Sequence, residues 1–277
     1  MQPTPIDYSI ETSYWPTVTV IISTYKRPKM LMRALNSVLA QTFTDFELII
    51  VHDGHIDQEM VNICAMFDKR FTDMNVIMQL ITLQENSGYQ CVPKNVGTHM
   101  ARGDYIAYLD DDNEWTPDHL EVLVDAMEEG VQWPDFVYGR RLYVRDEGAP
   151  EHLTTGESPF VKWGESAKLR LAEGTSYNFI DTSDFLIARG SLWHMQMALG
   201  HMWDERTRRF ADWRLISEGV FFCGLKARAV DKIVQIYHWH AGNIQHTRPL
   251  METPQPVRLD KQEELQRAGI RLHSDAG

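Results

Sequence analysis

Residues 104 to 117 read DYIAYLDDDNEWTP, and their interpretation decides the fold. An apolar run of strand length, 104 to 110, ends in Asp110, Asp111 and Asp112. Pro117 then opens a segment in which Leu120, Leu123, Val124 and Met127 recur at helical spacing. The acidic triplet thus occupies a loop leaving a strand. Open α/β sheets bind ligands at the carboxyl ends of their strands, so this loop belongs on a ligand-facing rim.

The same alternation runs through the residues before it. VTVIIS (18 to 23), ELIIVHD (47 to 53) and NVIMQLITL (75 to 83) read as strands. Between the first two, Leu31, Leu35, Val38 and Leu39 form one apolar helical face, and Met60, Ile63, Cys64 and Phe67 form the next. Strands separated by crossover helices predict an α/β fold with a mostly parallel central sheet flanked by helices. After residue 130 the pattern changes. DFVYGRRLYV (135 to 144) reads as a strand, and residues 147 to 180, rich in Gly, Glu, Ser and Thr, read as a long loop or lid. Helices are expected near 189 to 199 and 211 to 223, a strand over 228 to 240, and a charged helix near 260 to 269 in a proline-containing tail.

Composition narrows the function classes. The 277 residues, 43% of them hydrophobic, suffice for a packed core. A net charge of -12 argues against non-specific binding to nucleic acid or anionic lipid. Cys64, Cys91 and Cys223 show no CxxC spacing, which fits a reducing compartment and buried apolar roles. No apolar run approaches the ~18 residues of a membrane span, and no basic-then-apolar leader opens the chain, so a soluble, cytoplasmic protein is expected. The common dinucleotide, P-loop, zinc-protease and serine-hydrolase motifs are absent from the sequence.

Three adjacent carboxylates repel one another unless a cation compensates. A hard divalent ion, Mg²⁺ or Mn²⁺, binds carboxylate oxygen and is often shared with substrate phosphates. On an extended segment Asp110 and Asp112 share a face and Asp111 faces away. An EF-hand would require Gly where Trp115 stands. A solvated turn capped by Asn113 or Thr116 remains the plain alternative.

Several stretches together resemble the family 2 glycosyltransferases of the GT-A (nucleotide-diphospho-sugar transferase) fold: STY at 23 to 25, QTFTDFELIIVHDG at 41 to 54, and PKNVGTHMARGDYIAYLDDDNEW at 93 to 115. FIDTSDFLIARGSLW and WDERTRRFADWRLISEGV continue the likeness to about residue 240, and TFTDFEL and DDNEWTPDHL bring it near the spore-coat polysaccharide members. The resemblance implies one GT-A domain over 16–240, with a nucleotide-sugar half (16–115) and an acceptor half (116–240), between an N-terminal extension (1–15) and a tail (241–277). It implies a metal-dependent inverting transfer from a UDP- or TDP-sugar to an acceptor hydroxyl, most simply of a saccharide or small molecule.

Roles follow from the same resemblance. Asp110 and Asp112 would hold Mn²⁺ or Mg²⁺, joined by His240 of YHWHAGN. Asp53 would accept a hydrogen bond from the base, Ser23, Thr24 and Tyr25 would line the base and ribose pocket, and Asp111 would face ribose or sugar hydroxyls. Arg27 and Lys94, cations in an acidic chain, are candidates for the donor phosphates. Asp212 in FADWRL would be the general base. Asp181, Asp184 and Trp213 are candidates for the acceptor. Two positions depart from the family pattern: His52 precedes Asp53 where an Asp is usual, and Ala211 replaces the common Glu before the base. The second leaves a non-catalytic nucleotide-sugar-binding protein as the alternative.

Overall fold

The computed structural model describes residues 15–149, 155–158, 160, 162–163, 180–208 and 210–240. The 1–15 extension except Trp15, most of the expected 147–180 loop, and the tail with its expected helix lie outside the described residues.

The first half is built as the apolar runs dictate. Strands β1 (Val18–Thr24), β2 (Phe46–His52), β3 (Met78–Thr82) and β4 (Tyr105–Asp110) alternate with helices α1 (Pro28–Leu39), α2 (Gln58–Asp73) and α3 (Cys91–Met100). β1 pairs in parallel with β2 on one side and β4 on the other, and β3 extends the sheet beyond β2. Strands covered on both faces read as continuous apolar runs. Val18, Val20 and Ile22 pack with α1 and α2, while Ile21 faces the opposite layer with Ile106 and Tyr108. Gly97 lets α3 lie directly on β1, since a Cβ there would stand 2.6 Å from the Ile21 side chain.

The second half closes the sheet with antiparallel and long-range pairings. After the two-residue strand β5 (Glu114–Trp115) come α4 (His119–Glu128), β6 (Phe136–Arg145) and β7 (Gly156–Glu157). A 3₁₀ turn (Thr182–Asp184) then leads into β8 (Phe185–Ala188), α5 (Arg189–Leu199), α6 (Ala211–Cys223) and β9 (Ala227–Trp239). Among the described residues the strand order is β3-β2-β1-β4-β8-β6-β9-β5, with β7 on β6. α4 begins at His119, two residues after the proline expected to open it, with Asp118 at the cap position.

Register brings the expected site together. Ser23 stands opposite both Val51 and Asp110, and Thr24 opposite His52. The ends of β1, β2 and β4 therefore form one rim bearing Thr24, Asp53 and the acidic triplet.

Candidate active site

On the β2 side of the rim, Asp53 is buried and its amide donates to the Thr24 carbonyl (2.9 Å). Its carboxylate accepts from the Ser87 amide (2.9 Å), the Ser87 hydroxyl (2.8 Å) and the Asn86 side chain (3.2 Å). Each carboxylate oxygen has more than one lone-pair direction, so capacity remains for a ligand N–H. Gly54 turns the chain here at φ +118, where a Cβ would meet the Asn86 backbone at 3.0 Å. His52 is fully buried and bonded to the Gly54 carbonyl (2.9 Å), a structural partner of the turn. Tyr25 is 38% exposed beside it, with ring centroids 6.0 Å apart.

The triplet is divided among different partners. Asp110 accepts from Lys94 Nζ (2.9 Å). Asp111 accepts from the Thr24 hydroxyl (2.7 Å) and from Arg27 Nη1 (3.2 Å). Asp112 Oδ2 faces both Arg27 Nη1 (3.2 Å) and His240 Nε2 (3.1 Å). Burial pushes Asp110 up to about 6, against the pull of Lys94 and with the push of Asp181 and Asp112. Burial and the neighbouring Asp112 charge push Asp111 up to about 7 despite Arg27. Asp112 is also opposed by burial, but His240 and Arg27 prevail and hold it below the usual carboxylate range. Three carboxylates thus share two cations, Lys94 and Arg27, with the His240 imidazole beside Asp112.

The loop is braced from distant parts of the chain. Ser183 Oγ accepts from the Asp110 amide (3.0 Å), and the Trp115 indole donates to the Ser183 carbonyl (2.8 Å). Arg33 of α1 donates to the Asp112 carbonyl (2.6 Å) and to Asp146 (2.9 Å). His238 lies between Asp146 and Glu114, 2.7 Å from each, and its amide donates to the Asn113 side chain (3.2 Å). Asn86, Ser87, Ser183 and Arg33 were not singled out in the sequence. Nothing in their local spacing distinguishes them from ordinary loop or solvated helix residues.

Lys94 departs from its expected role toward phosphate. Its side chain is 1% exposed, held by Asp110, by Gln90 (2.5 Å) and Thr182 (3.2 Å), with its ammonium 4.7 Å from the Trp203 ring centroid. Asp181 and Asp184 depart similarly from the acceptor. They form the capping box of the 3₁₀ turn, Asp184 is fully buried 2.8 Å from Arg141, and Gln235 donates to Asp181 (2.9 Å). Burial raises Asp184 well above the ordinary carboxylate range, and Arg141 only partly offsets it.

Asp212 occupies the first turn of α6, buried, with its Oδ1 accepting from the Trp213 amide (2.7 Å). Phe210 supplies the helix start in a left-handed conformation (φ 52, ψ 40). Asp212 is near enough to bear on the ionisation of Asp184 and Arg141, and Asp181 on that of Asp110. A buried acidic core therefore connects the triplet to Asp212. Trp213 stacks at a tilt on Trp163, with centroids 5.4 Å apart.

A divalent cation fits this donor set on its chemistry. A carboxylate oxygen of Asp112 and an imidazole nitrogen of His240 lie 3.1 Å apart beside two carboxylates held above the ordinary range. Among the described residues they do not form a ready-made cluster of three ligands. Asp110 has one carboxylate oxygen on Lys94.

Comparison with known proteins supplies the context. The family model described as glycosyl transferase family 2 matches residues 19–196. Succinoglycan biosynthesis protein ExoW of Rhizobium meliloti is 30% identical over 220 residues, 74% of this chain and 62% of that protein. WcaA of Escherichia coli, named for colanic acid biosynthesis, is 34% identical over 111 residues, 39% of this chain and 37% of its own length. The chain thus spans 37%, 33% and 22% of the first three curated relatives it matches. Among solved structures, Staphylococcus aureus TarS 1-349 in complex with UDP-GlcNAc superposes with a TM-score of 0.59 at 18% identity, covering 91% of this chain and 65% of that one. The mannosyltransferase PcManGT of Pyrobaculum calidifontis, in complex with GDP-Man and Mn²⁺, gives 0.56 at 17%, covering 84% and 60%. At such identities the likeness is one of fold. Among the described residues no helix is long and apolar enough to cross a membrane.

Proposed function

This chain belongs to glycosyl transferase family 2 and has the GT-A fold, and from that premise we propose that it catalyses a metal-dependent inverting transfer from a UDP-sugar to an acceptor hydroxyl. The observation that carries the reading is one rim holding an N–H acceptor (Asp53), a carboxylate cluster (Asp110 to Asp112 with His240) and, across a buried acidic core, the carboxylate of Asp212.

Asp53 receives the N–H of the base, with Ser87 and Asn86 fixing its carboxylate, and Tyr25 offers an exposed ring at the pocket edge. Ser23 and Thr24 line the base and ribose site, where Thr24 also orients Asp111 toward ribose or sugar hydroxyls. Asp110, Asp112 and His240 would hold Mn²⁺ or Mg²⁺. When bound, that ion supplies electrophilic stabilisation for the departing diphosphate. The Asp212 carboxylate takes the proton of the acceptor hydroxyl. The freed oxygen forms the new bond to the anomeric carbon as the bond to the nucleotide diphosphate breaks on the opposite face. Trp213 forms an apolar wall for the acceptor, a saccharide or small molecule, and Asp181 and Asp184 support the site from beneath.

The test compares wild type with Asp212→Asn in donor turnover with Mn²⁺. A fall of roughly 10³-fold in kcat with UDP affinity retained is expected for loss of a general base. Equal UDP binding by both proteins, with no turnover of any donor by wild type across a broad acceptor panel, would establish the alternative of a non-catalytic binding protein.

A further inference from the structure

The triplet is neutralised by two cations of different character. Lys94 is caged: a side chain 1% exposed, with Asp110, Gln90, Thr182 and the Trp203 ring around its ammonium. Its amine cannot leave without opening the core. Arg27 is not caged. Its side chain is 37% exposed, it lies at the cap position before α1 without a side-chain capping bond, and it follows Lys26, whose φ is +52. A single nitrogen, Nη1, spans Asp111 Oδ1 and Asp112 Oδ2 at 3.2 Å each.

The oxygen that Arg27 holds on Asp112 is the same atom that faces His240 Nε2 at 3.1 Å. A divalent ion held between Asp112 Oδ2 and His240 Nε2 therefore competes for the atom that Arg27 occupies. Guanidinium and ion would also face each other at close range, where like charges repel. A diphosphate arriving with the ion removes the conflict, because it offers the guanidinium a second anion with planar, bidentate geometry.

We propose that Arg27 is a displaceable counter-ion: it holds the Asp112 oxygen while the site is empty, and transfers to the donor diphosphate when metal and nucleotide enter together. This rests on the donor-binding reading above and extends it to how the two ligands are coupled. Each ligand assists the other through one side chain, so metal and nucleotide bind synergistically, and by linkage the assistance is equal in both directions. The cost of displacing Arg27 acts on metal binding alone as a preceding unfavourable equilibrium.

The experiment measures Mn²⁺ alone, by the loss of its free-ion electron paramagnetic resonance signal, and UDP at saturating Mn²⁺, by calorimetry. Wild type, Arg27→Gln and Arg27→Lys are compared, with unfolding temperature as a fold control. Removing the charge should move the two affinities in opposite directions: Arg27→Gln binds Mn²⁺ alone about tenfold more tightly and UDP with Mn²⁺ about tenfold more weakly, the scale of one charge-assisted hydrogen bond. Arg27→Lys, a point charge without the fork, should fall between. Unchanged or weaker binding of Mn²⁺ alone by a folded Arg27→Gln overturns the proposal while leaving the donor site intact. Failure of wild type to bind UDP with Mn²⁺ instead overturns the donor-binding reading itself.

Discussion

Two clusters of aspartates meet at Ser183 and are built on different principles. In the cluster of Asp181 and Asp184 the carboxylates take backbone amides of their own turn, Arg141 lies 2.8 Å from Asp184, and Gln235 donates to Asp181. In the triplet Asp110, Asp111 and Asp112 follow one another in sequence, two of them are held above the ordinary carboxylate range, and Arg27 is partly exposed. The first cluster is sealed in the core with its cation, Asp184 fully buried and Arg141 nearly so; the second keeps a counter-ion, Arg27, that solvent can reach. Burial alone therefore does not mark a functional acid. What marks it is a place on a strand-end rim beside a partly exposed counter-ion.

The contrast can be broken most forcefully by removing one acid from each cluster. Asp184→Ala strands the Arg141 guanidinium beside the remaining acids in the core, and truncation of one partner of a buried pair costs about 3–5 kcal/mol. Chemical denaturation should show that loss. Asp112→Ala should cost clearly less, since the Arg27 it leaves behind is 37% exposed and can be resolvated, while metal-dependent UDP binding disappears. If Asp112→Ala proves the more destabilising of the two, the division between structural and ligand-directed acids fails.

A buried histidine sharpens the comparison by showing what full burial does when a nearby carboxylate, Asp118, only weakly opposes it. His119 stacks on Trp115 at 4.0 Å and bonds the Val234 carbonyl (2.9 Å). Burial pushes its pKa down from 6.5 to about 3. Between those values the unfolded chain binds a proton that the native chain refuses, so stability falls as pH drops from about 6.5 toward 3. The limiting slope for one such group is about 1.4 kcal/mol per pH unit. His119→Gln, which retains an N–H for Val234, should flatten this dependence by about 1–2 kcal/mol between pH 7 and pH 5 in urea titrations. An identical slope in both proteins would remove His119 as its source.

The smallest effect is expected at the surface. Arg206 is 74% exposed and grips Asp204 with two nitrogens, but Arg214 also pairs with that carboxylate. Arg206→Ala should cost less than about 1 kcal/mol and lose part of even that at high salt. A larger loss would mean that the loop before Asp212 depends on this exposed pair.

The legibility of the chain follows the same physics. β1, β2 and β4 were readable because strands covered on both faces must be continuously apolar, and their order placed Asp53 and the triplet on one rim. β5 was not readable: two residues carry no periodicity, and Glu114 and Trp115 are a strand only because Ile236 and Gln235 lie opposite. Lys94 read as a candidate for the donor phosphates because its motif gives no sign of the Trp203 ring 4.7 Å from its ammonium. Asp181 and Asp184 read as ligand acids because the guanidinium beside them comes from β6, about 40 positions away, as does the Ser87 clamp on Asp53 from beyond β3.

Ser183 carries a last consequence. Its hydroxyl receives the Asp110 amide and its carbonyl receives the Trp115 indole, while His238 in β9 and His240 just after it reach the same loop. The stretch from 16 to 115 is therefore not a self-sufficient cassette. A gene fragment ending at Trp115 would encode the donor-side strands without the clasps that shape their acidic loop, and grafting that fragment onto another acceptor half would succeed only if the recipient brought equivalents of Ser183 and the end of β9. Recombination within this fold is constrained at the loop, not at the midpoint of the chain.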